Sequence, residues 1–307
     1  MNLSPRIVSL LPSATEIVCA LGFKDHLVGR SHECDFPAGL DHLPVCSAPR
    51  IDVDGSSREI DDEIRDIVRR GLSVYEVRVD VLKSLAPDFI VTQTQCEVCA
   101  VSERDVETAV RSWLDGQGEI ISLNPNRLED VWTDILRVAT ALGNRSNGEA
   151  VVATLRERMS GLQARAATRE QKPRVALIEW IEPLMAAGNW MPTLVDIAGG
   201  RNLFGKAGEH SPWIEFNELR ESDPDAIVVA ACGFDLERTR GEMRPLIDHP
   251  QWNTLTAVGE GRVYLTDGHH FFNRPGPRLV ESVEILAELL HPESTERRHR
   301  GQAWLPL

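Results

Sequence analysis

The chain has 307 residues, 42% of them apolar and 26% charged, with a formal net charge of −14. That length allows about two domains with real cores, so folding requires neither a disulfide nor a metal, and no cofactor is required. The acidic balance excludes general nucleic-acid binding, and no apolar run reaches the roughly 18 residues of a membrane span.

The first strand-like run is Arg6-Ile7-Val8-Ser9-Leu10-Leu11. Only Met1 to Pro5 precede it, without the charged, apolar and cleavage regions of a signal peptide. The sequence as it stands is therefore expected in the cytoplasm, or in the periplasm or at the cell surface if a leader precedes it. Ser13 and Glu16 form a capping box that opens a helix ending at Gly22. Leu27-Val28-Gly29 reads as a second strand. Residues 57–70 place Ile60, Ile64, Ile67 and Val68 at helical spacing, and 79–85 form another helix stopped by Pro87. Phe89-Ile90-Val91-Thr92 is a buried strand. A helix opening at Ser102 and Asp105 and a strand at 120–123 follow. Strands alternating with helices predict a parallel sheet covered by helices.

Residues 128–142 are one amphipathic helix. Residues 147–168 form one long helical run of roughly 33 Å, which is either an ordinary surface helix or a strut between two lobes. Beyond Lys172-Pro173 the earlier grammar returns. Arg174-Val175-Ala176-Leu177-Ile178 echoes the opening run, and Pro224-Asp225-Ala226-Ile227-Val228 echoes Pro87-Asp88-Phe89-Ile90-Val91. Arg262-Val263-Tyr264-Leu265 echoes 119–123. These echoes predict two related α/β lobes, residues 1–145 and 171–291, with 146–170 between them and 292–307 as a tail.

In open α/β sheets, ligands sit beyond the carboxyl ends of the strands. Those segments hold His32 and Cys34; Gln93, Cys96 and Cys99; Trp180 and Trp190; Cys232 and Phe234; and Asp267, His269, His270, Phe271 and Arg274. Aromatic residues and soft metal ligands thus gather at one end of both sheets. There is no phosphate-binding glycine loop, nucleophile elbow or HExxH helix, so no catalytic residue is assigned.

Residues 6–16 resemble the opening of the helical-backbone (class III) substrate-binding proteins of ABC transporters, above all the cobalamin-binding branch. Leu85-Ala86-Pro87-Asp88-Phe89-Ile90-Val91, Ala198-Gly199-Gly200-Arg201-Asn202-Leu203-Phe204, Ser211-Pro212-Trp213 and Asn273-Arg274-Pro275-Gly276-Pro277-Arg278 carry the likeness further. The resemblance implies two Rossmann-like lobes joined by the single helix 147–168. It also implies a cobalamin-like corrinoid, haem or siderophore ligand between the lobes, and an ABC permease as partner. The protein would then be a monomeric binder and not an enzyme. By position, Trp213 would pack on the ligand, Tyr75 lies one residue from an aromatic position, and Gln93 replaces a Trp of secreted relatives. Asp80 and Glu218 would face arginines of the transporter; alternatively, they are solvated carboxylates. The insert 57–70 and the segment 95–102 match a subgroup that often lacks a recognisable leader.

Cys96-x-x-Cys99 with Cys34 could hold a metal, as a metal-binding or thiol-dependent protein would; a redox pair and plain thiols are the other readings. Of His269 and His270, at most one should reach a ligand's metal. Arg274 suits acidic or amide groups of a tetrapyrrole, or else anchors its own loop.

Overall fold

The computed structural model describes residues 4–70, 74–93, 118–168, 171–293 and 295–307. Cys96, Cys99 and the helix expected from Ser102 lie outside these residues. The chain divides into two compact units. Unit 1 is Met1–Gly55, Glu59–Pro125 and Glu129–Ala153; unit 2 is Ser56–Arg58, Asn126–Leu128 and Thr154–Leu307.

Among the described residues, unit 1 has six strands: β1 (Ile7–Ser9), β2 (Leu27–Arg30), β3 (Ser47–Pro49), β4 (Tyr75–Val77), β5 (Phe89–Gln93) and β6 (Glu119–Leu123). Four of them make a parallel sheet in the order β2-β1-β5-β6, while β3 and β4 pair antiparallel. Val8, Leu10, Ile90, Leu82 and Cys46 form a buried cluster between the sheet and the helix Val79–Leu85.

Unit 2 continues with β7 (Arg174–Trp180), β8 (Met185–Ala186), β9 (Arg201–Asn202), β10 (Ala226–Val229), β11 (Val263–Thr266) and β12 (Trp304–Pro306). The order is β12-β11-β10-β7-β8, with β9 also pairing β7. The central strands are parallel, and β8 and β12 are antiparallel additions. Both faces of such a sheet are covered, which is why β10 is apolar and buried at every position.

The echoes in the sequence are structural. Ile7 pairs with Phe89 and Ile90 with Ile120; at the corresponding places Val175 pairs with Ala226 and Ile227 with Val263. Each unit also has the same clasp. The Asp88 carboxylate accepts the Arg6 backbone N–H at 2.7 Å, and the Asp225 carboxylate accepts that of Arg174 at 2.7 Å. The Arg6 guanidinium donates to the Leu85 carbonyl, and Arg174 donates to the carbonyls of Ser222 and Asp223. These carbonyls end the helices Val79–Leu85 and Phe216–Ser222, whose C-caps Ala86 and Asp223 are both left-handed. The Pro-Asp motif therefore ties a helix end to the first strand of each sheet.

The helix Arg145–Ala167 is longer than expected at its start, and the division between the units falls within it. Near its start the Asn147 amide donates to the Leu21 carbonyl, within unit 1. Near its end Ala166 meets the Gly199-Gly200 turn of unit 2. Gly199 has φ +87°, and a Cβ there would lie 2.9 Å from that of Ala166. The Gly-Gly motif thus marks a close approach of backbone to helix.

The capping box is not formed. The first helix is Pro12–Ala20, with Leu11 as N-cap and no side-chain cap. Pro12 already carries the dihedral that a first helical residue needs, so the helix starts before Ser13, and Ser13 and Glu16 are buried within it.

Residues 292–307, read as a tail, end in β12, which extends the sheet beside β11. Glu288, 2% exposed on the helix Leu279–Leu290, holds this segment. Its carboxylate accepts the backbone N–H of Arg298 at 3.0 Å, His299 Nδ1 at 2.7 Å and Trp304 Nε1 at 2.8 Å. Glu288→Gln keeps the volume but turns one acceptor into a donor facing donors. Urea unfolding should show a loss of about 1–3 kcal/mol, and limited proteolysis should cut within 292–307; an unchanged midpoint and digest would show that β12 is held by apolar packing alone.

Candidate functional site

In unit 1 the residues beyond the strand ends are mostly committed to the unit itself. His32, just past β2, places Nδ1 2.9 Å from the Ser47 hydroxyl, and its ring packs on Tyr75 with centroids 5.2 Å apart. The Tyr75 hydroxyl donates to Glu33 at 3.1 Å. Burial, with the positive charges of Arg78 and Arg30, pushes the His32 pKa down to about 4. This imidazole is neutral at physiological pH.

Cys34 is fully buried, and its sulfur lies 2.9 Å from the Thr15 hydroxyl. Burial pushes its thiol pKa up, against smaller opposing effects of hydrogen bonds with Thr15 and Ser31. A metal ligand must be a thiolate, so this environment works against Cys34 in that role. Gln93 ends β5 and is buried.

Unit 2 presents a different set. Trp180 ends β7, its indole N–H donates to the Glu182 carbonyl at 3.2 Å, and its ring meets Phe234 with centroids 5.1 Å apart. The Arg238 guanidinium lies 4.1 Å over the Phe234 ring. Past β11, the His269 N–H donates to the Phe234 carbonyl at 3.0 Å, so the two loops are joined. Gly268 makes that join possible, because a Cβ there would collide with the Ala231 carbonyl.

Two polar pairs and one cation–π contact follow. Asp267 accepts His270 twice, from the backbone N–H and from Nδ1, each at 2.8 Å. Burial opposes the charge of Asp267, but these two bonds outweigh it and hold the carboxyl below the ordinary range. Arg274, 5% exposed, directs its guanidinium to His269 Nε2 at 3.0 Å. The Arg278 guanidinium lies 4.2 Å over Phe271.

The expected aromatic residues separate here. Trp213 is 50% exposed and stands at a bridge to Met185. Trp190 is buried, and its N–H donates to the Phe272 carbonyl at 2.8 Å, so it belongs to the interior of unit 2. Asp80 and Glu218 occupy the first turns of the two clasped helices and are exposed. Glu218 accepts the Glu215 N–H at 2.7 Å in a capping box. Arg238 is not singled out by the sequence; its spacing of four from Phe234 is the only signal.

The profile of a family described as "Periplasmic binding protein" matches residues 7–269. An ABC transporter substrate-binding lipoprotein of Bacillus subtilis (strain 168), YvrC, is 23% identical over 298 residues, which cover 94% of this chain and 81% of that one. A vitamin B12-binding protein of Vibrio parahaemolyticus is 21% identical, covering 95% and 91%. Among solved structures, the apo form of the periplasmic heme-binding protein RhuT from Roseiflexus sp. RS-1 superposes with a TM-score of 0.70 at 21% identity, covering 94% of this chain and 99% of that one.

The neutral His32 has a consequence for stability. A histidine whose folded pKa is depressed stabilises the fold fully above its unfolded pKa of about 6.5 and loses that contribution as pH falls toward the folded value. Stability should therefore decline between pH 6.5 and about 4. In His32→Gln, denaturation midpoints measured across that range should decline less steeply. Parallel curves for the two proteins would place the acid sensitivity elsewhere.

Proposed function

The chain belongs to the periplasmic binding protein family, and on that premise we propose that it binds a corrinoid or related metal chelate as the substrate-binding component of an ABC importer. The observation that carries this reading is the edge of unit 2. Trp180 and Phe234 with Arg238, and Phe271 with Arg278, pack aromatic rings and guanidinium groups together at the carboxyl ends of β7, β10 and β11, with the three rings themselves buried. Large planar chelates with acidic or amide side chains need that combination. The half-exposed Trp213 adds a further flat surface.

The family and the named relatives support this class of ligand. One relative is named for vitamin B12, and one fold neighbour for haem. They also support action outside the cytoplasmic membrane, in place of the cytoplasmic location expected above. No described helix is long and apolar enough to cross a membrane. Asp80 and Glu218, on equivalent helices of the two units, are the carboxylates that would meet the permease. The role is binding without turnover.

Cyanocobalamin, dicyanocobinamide and haem titrated into the protein, followed by absorbance and tryptophan fluorescence, test the reading. At least one should bind with Kd below about 100 μM, roughly −5.5 kcal/mol. Trp213→Ala should weaken that ligand about tenfold, or about 1.4 kcal/mol. Failure of all three ligands to bind would remove the proposal. Asp80→Ala and Glu218→Ala should leave affinity unchanged while lowering ligand-stimulated ATPase of the reconstituted importer; undiminished stimulation would take the docking role from them.

A further inference from the structure

Glu179 stands one residue before Trp180 near the carboxyl end of β7, and three pieces of the unit 2 edge meet at it. Its backbone carbonyl accepts the Cys232 N–H at 3.0 Å, which fixes the start of the turn that carries Phe234. Its carboxylate accepts the Ser211 hydroxyl at 2.8 Å. An ionised carboxylate only accepts, so the hydroxyl gives its proton to Glu179 and keeps its lone pairs for the Gly188 N–H, which donates to it at 2.9 Å. Ser211 is 3% exposed, so its two bonds are sheltered from competing water.

Trp213 follows Ser211 by two residues. The Pro212 carbonyl accepts the Ala186 N–H at 3.0 Å, Trp213 bridges Met185, and the Ile214 N–H donates to the Leu184 carbonyl at 3.0 Å. The segment that carries Trp213 therefore runs antiparallel beside β8, which itself pairs β7. β8 is two residues long, a short guide for a half-exposed indole. The Glu179–Ser211 bond ties this segment directly to β7. A Cβ on Gly188 would lie 2.6 Å from the Glu209 carbonyl oxygen and 2.7 Å from the Ser211 nitrogen, so the close approach that makes the tie needs glycine.

We propose that Glu179 and Ser211 are positioning residues, whose carboxylate–hydroxyl tie holds Trp213 ready for the flat face of a bound chelate. This rests on the preceding reading and adds to it two residues that act through the indole and not on the ligand. A ring held before binding loses less freedom when the ligand stacks on it, so the tie contributes affinity through Trp213. Glu179 also explains how one strand end serves three rings: Trp180 follows it in the chain, the Phe234 turn hangs from its carbonyl, and the Trp213 segment hangs from its carboxylate.

A double-mutant cycle on the full chain tests the role, with cyanocobalamin, dicyanocobinamide and haem as the probes. Ser211→Ala should weaken whichever probe binds the wild type about fivefold. In the Trp213→Ala background the same change should cost less than about twofold, because the indole through which Ser211 acts is gone. Glu179→Ala should repeat this pattern, and Glu179→Gln, which keeps an oxygen facing the hydroxyl, should recover most of the affinity. Should Ser211→Ala not fold, the cycle with Glu179→Ala decides the matter, since that variant leaves the Gly188 N–H its acceptor. Equal losses with and without Trp213, wild-type affinity in either alanine variant, or a Glu179→Gln protein no tighter than Glu179→Ala would overturn the positioning role while leaving chelate binding intact. If the wild type binds none of the three probes, the functional reading falls and this role falls with it.

Discussion

One carboxylate in each unit sets the frame on which the site depends. Asp88 and Asp225 each accept the backbone N–H that begins the first strand of their sheet, and the arginine at that position closes the preceding helix. In a strand, a slip of one residue sends every side chain to the opposite face. Fixing register at the amino ends therefore decides what emerges at the carboxyl ends several residues later. In unit 2 it brings Trp180 out at the end of β7 next to the turn that carries Phe234. The Asp225 carboxyl lies below its ordinary range: burial opposes its charge, and the bonds from Arg174 outweigh that. The clasp therefore holds its charge across the neutral range.

The same frame carries different edges in the two units. Unit 1 turns Thr15, Ser9 and Cys34 inward, with oxygens and sulfur within hydrogen-bond distance. Unit 2 buries aromatic rings at its strand ends with guanidinium groups over them. Backbone topology accounts for where the strand-end residues stand, and loop composition accounts for the difference between the two units. The overall charge of −14 says little about this edge, because interactions between exposed charges fade over about 8 Å at physiological ionic strength.

Repetition was the most legible part of the sequence. Pro-Asp-x-Ile-Val is short, local and tied to one backbone job, so its two copies reported two sheets with the same register. Long apolar periodicities reported the helices 128–141 and 145–167 to within a few residues. Three things were not legible, each for a physical reason. The Ser13–Glu16 box lost to a proline that starts the helix by itself. β12 contains Trp304-Leu305-Pro306, too short to alternate, and it forms because the buried Glu288 collects its indole N–H. Trp190 lies in a segment beyond a strand end, where ligand groups are expected, yet its N–H finds a backbone carbonyl in the interior. In the candidate site, the residue types were visible and the hydrogen-bond partners were not. Those partners decide the chemistry, because they set which nitrogen of each histidine carries a proton.

The contrast between His32 and His270 shows how much rests on the partner. Both follow strands at the carboxyl ends of their sheets. His32 faces a hydroxyl and stands in the field of Arg30 and Arg78, so electron density on its ring is drawn toward positive charge. His270 faces an ionised carboxylate that accepts two of its N–H groups, which pushes density toward the opposite nitrogen. An imidazole of the first kind resists protonation and is a poor donor to a cation. One of the second kind has its Nδ1 held 2.8 Å from a carboxylate oxygen. Their hydrogen bonds separate a ring beside a hydroxyl and two arginines from a ring held twice by one carboxylate.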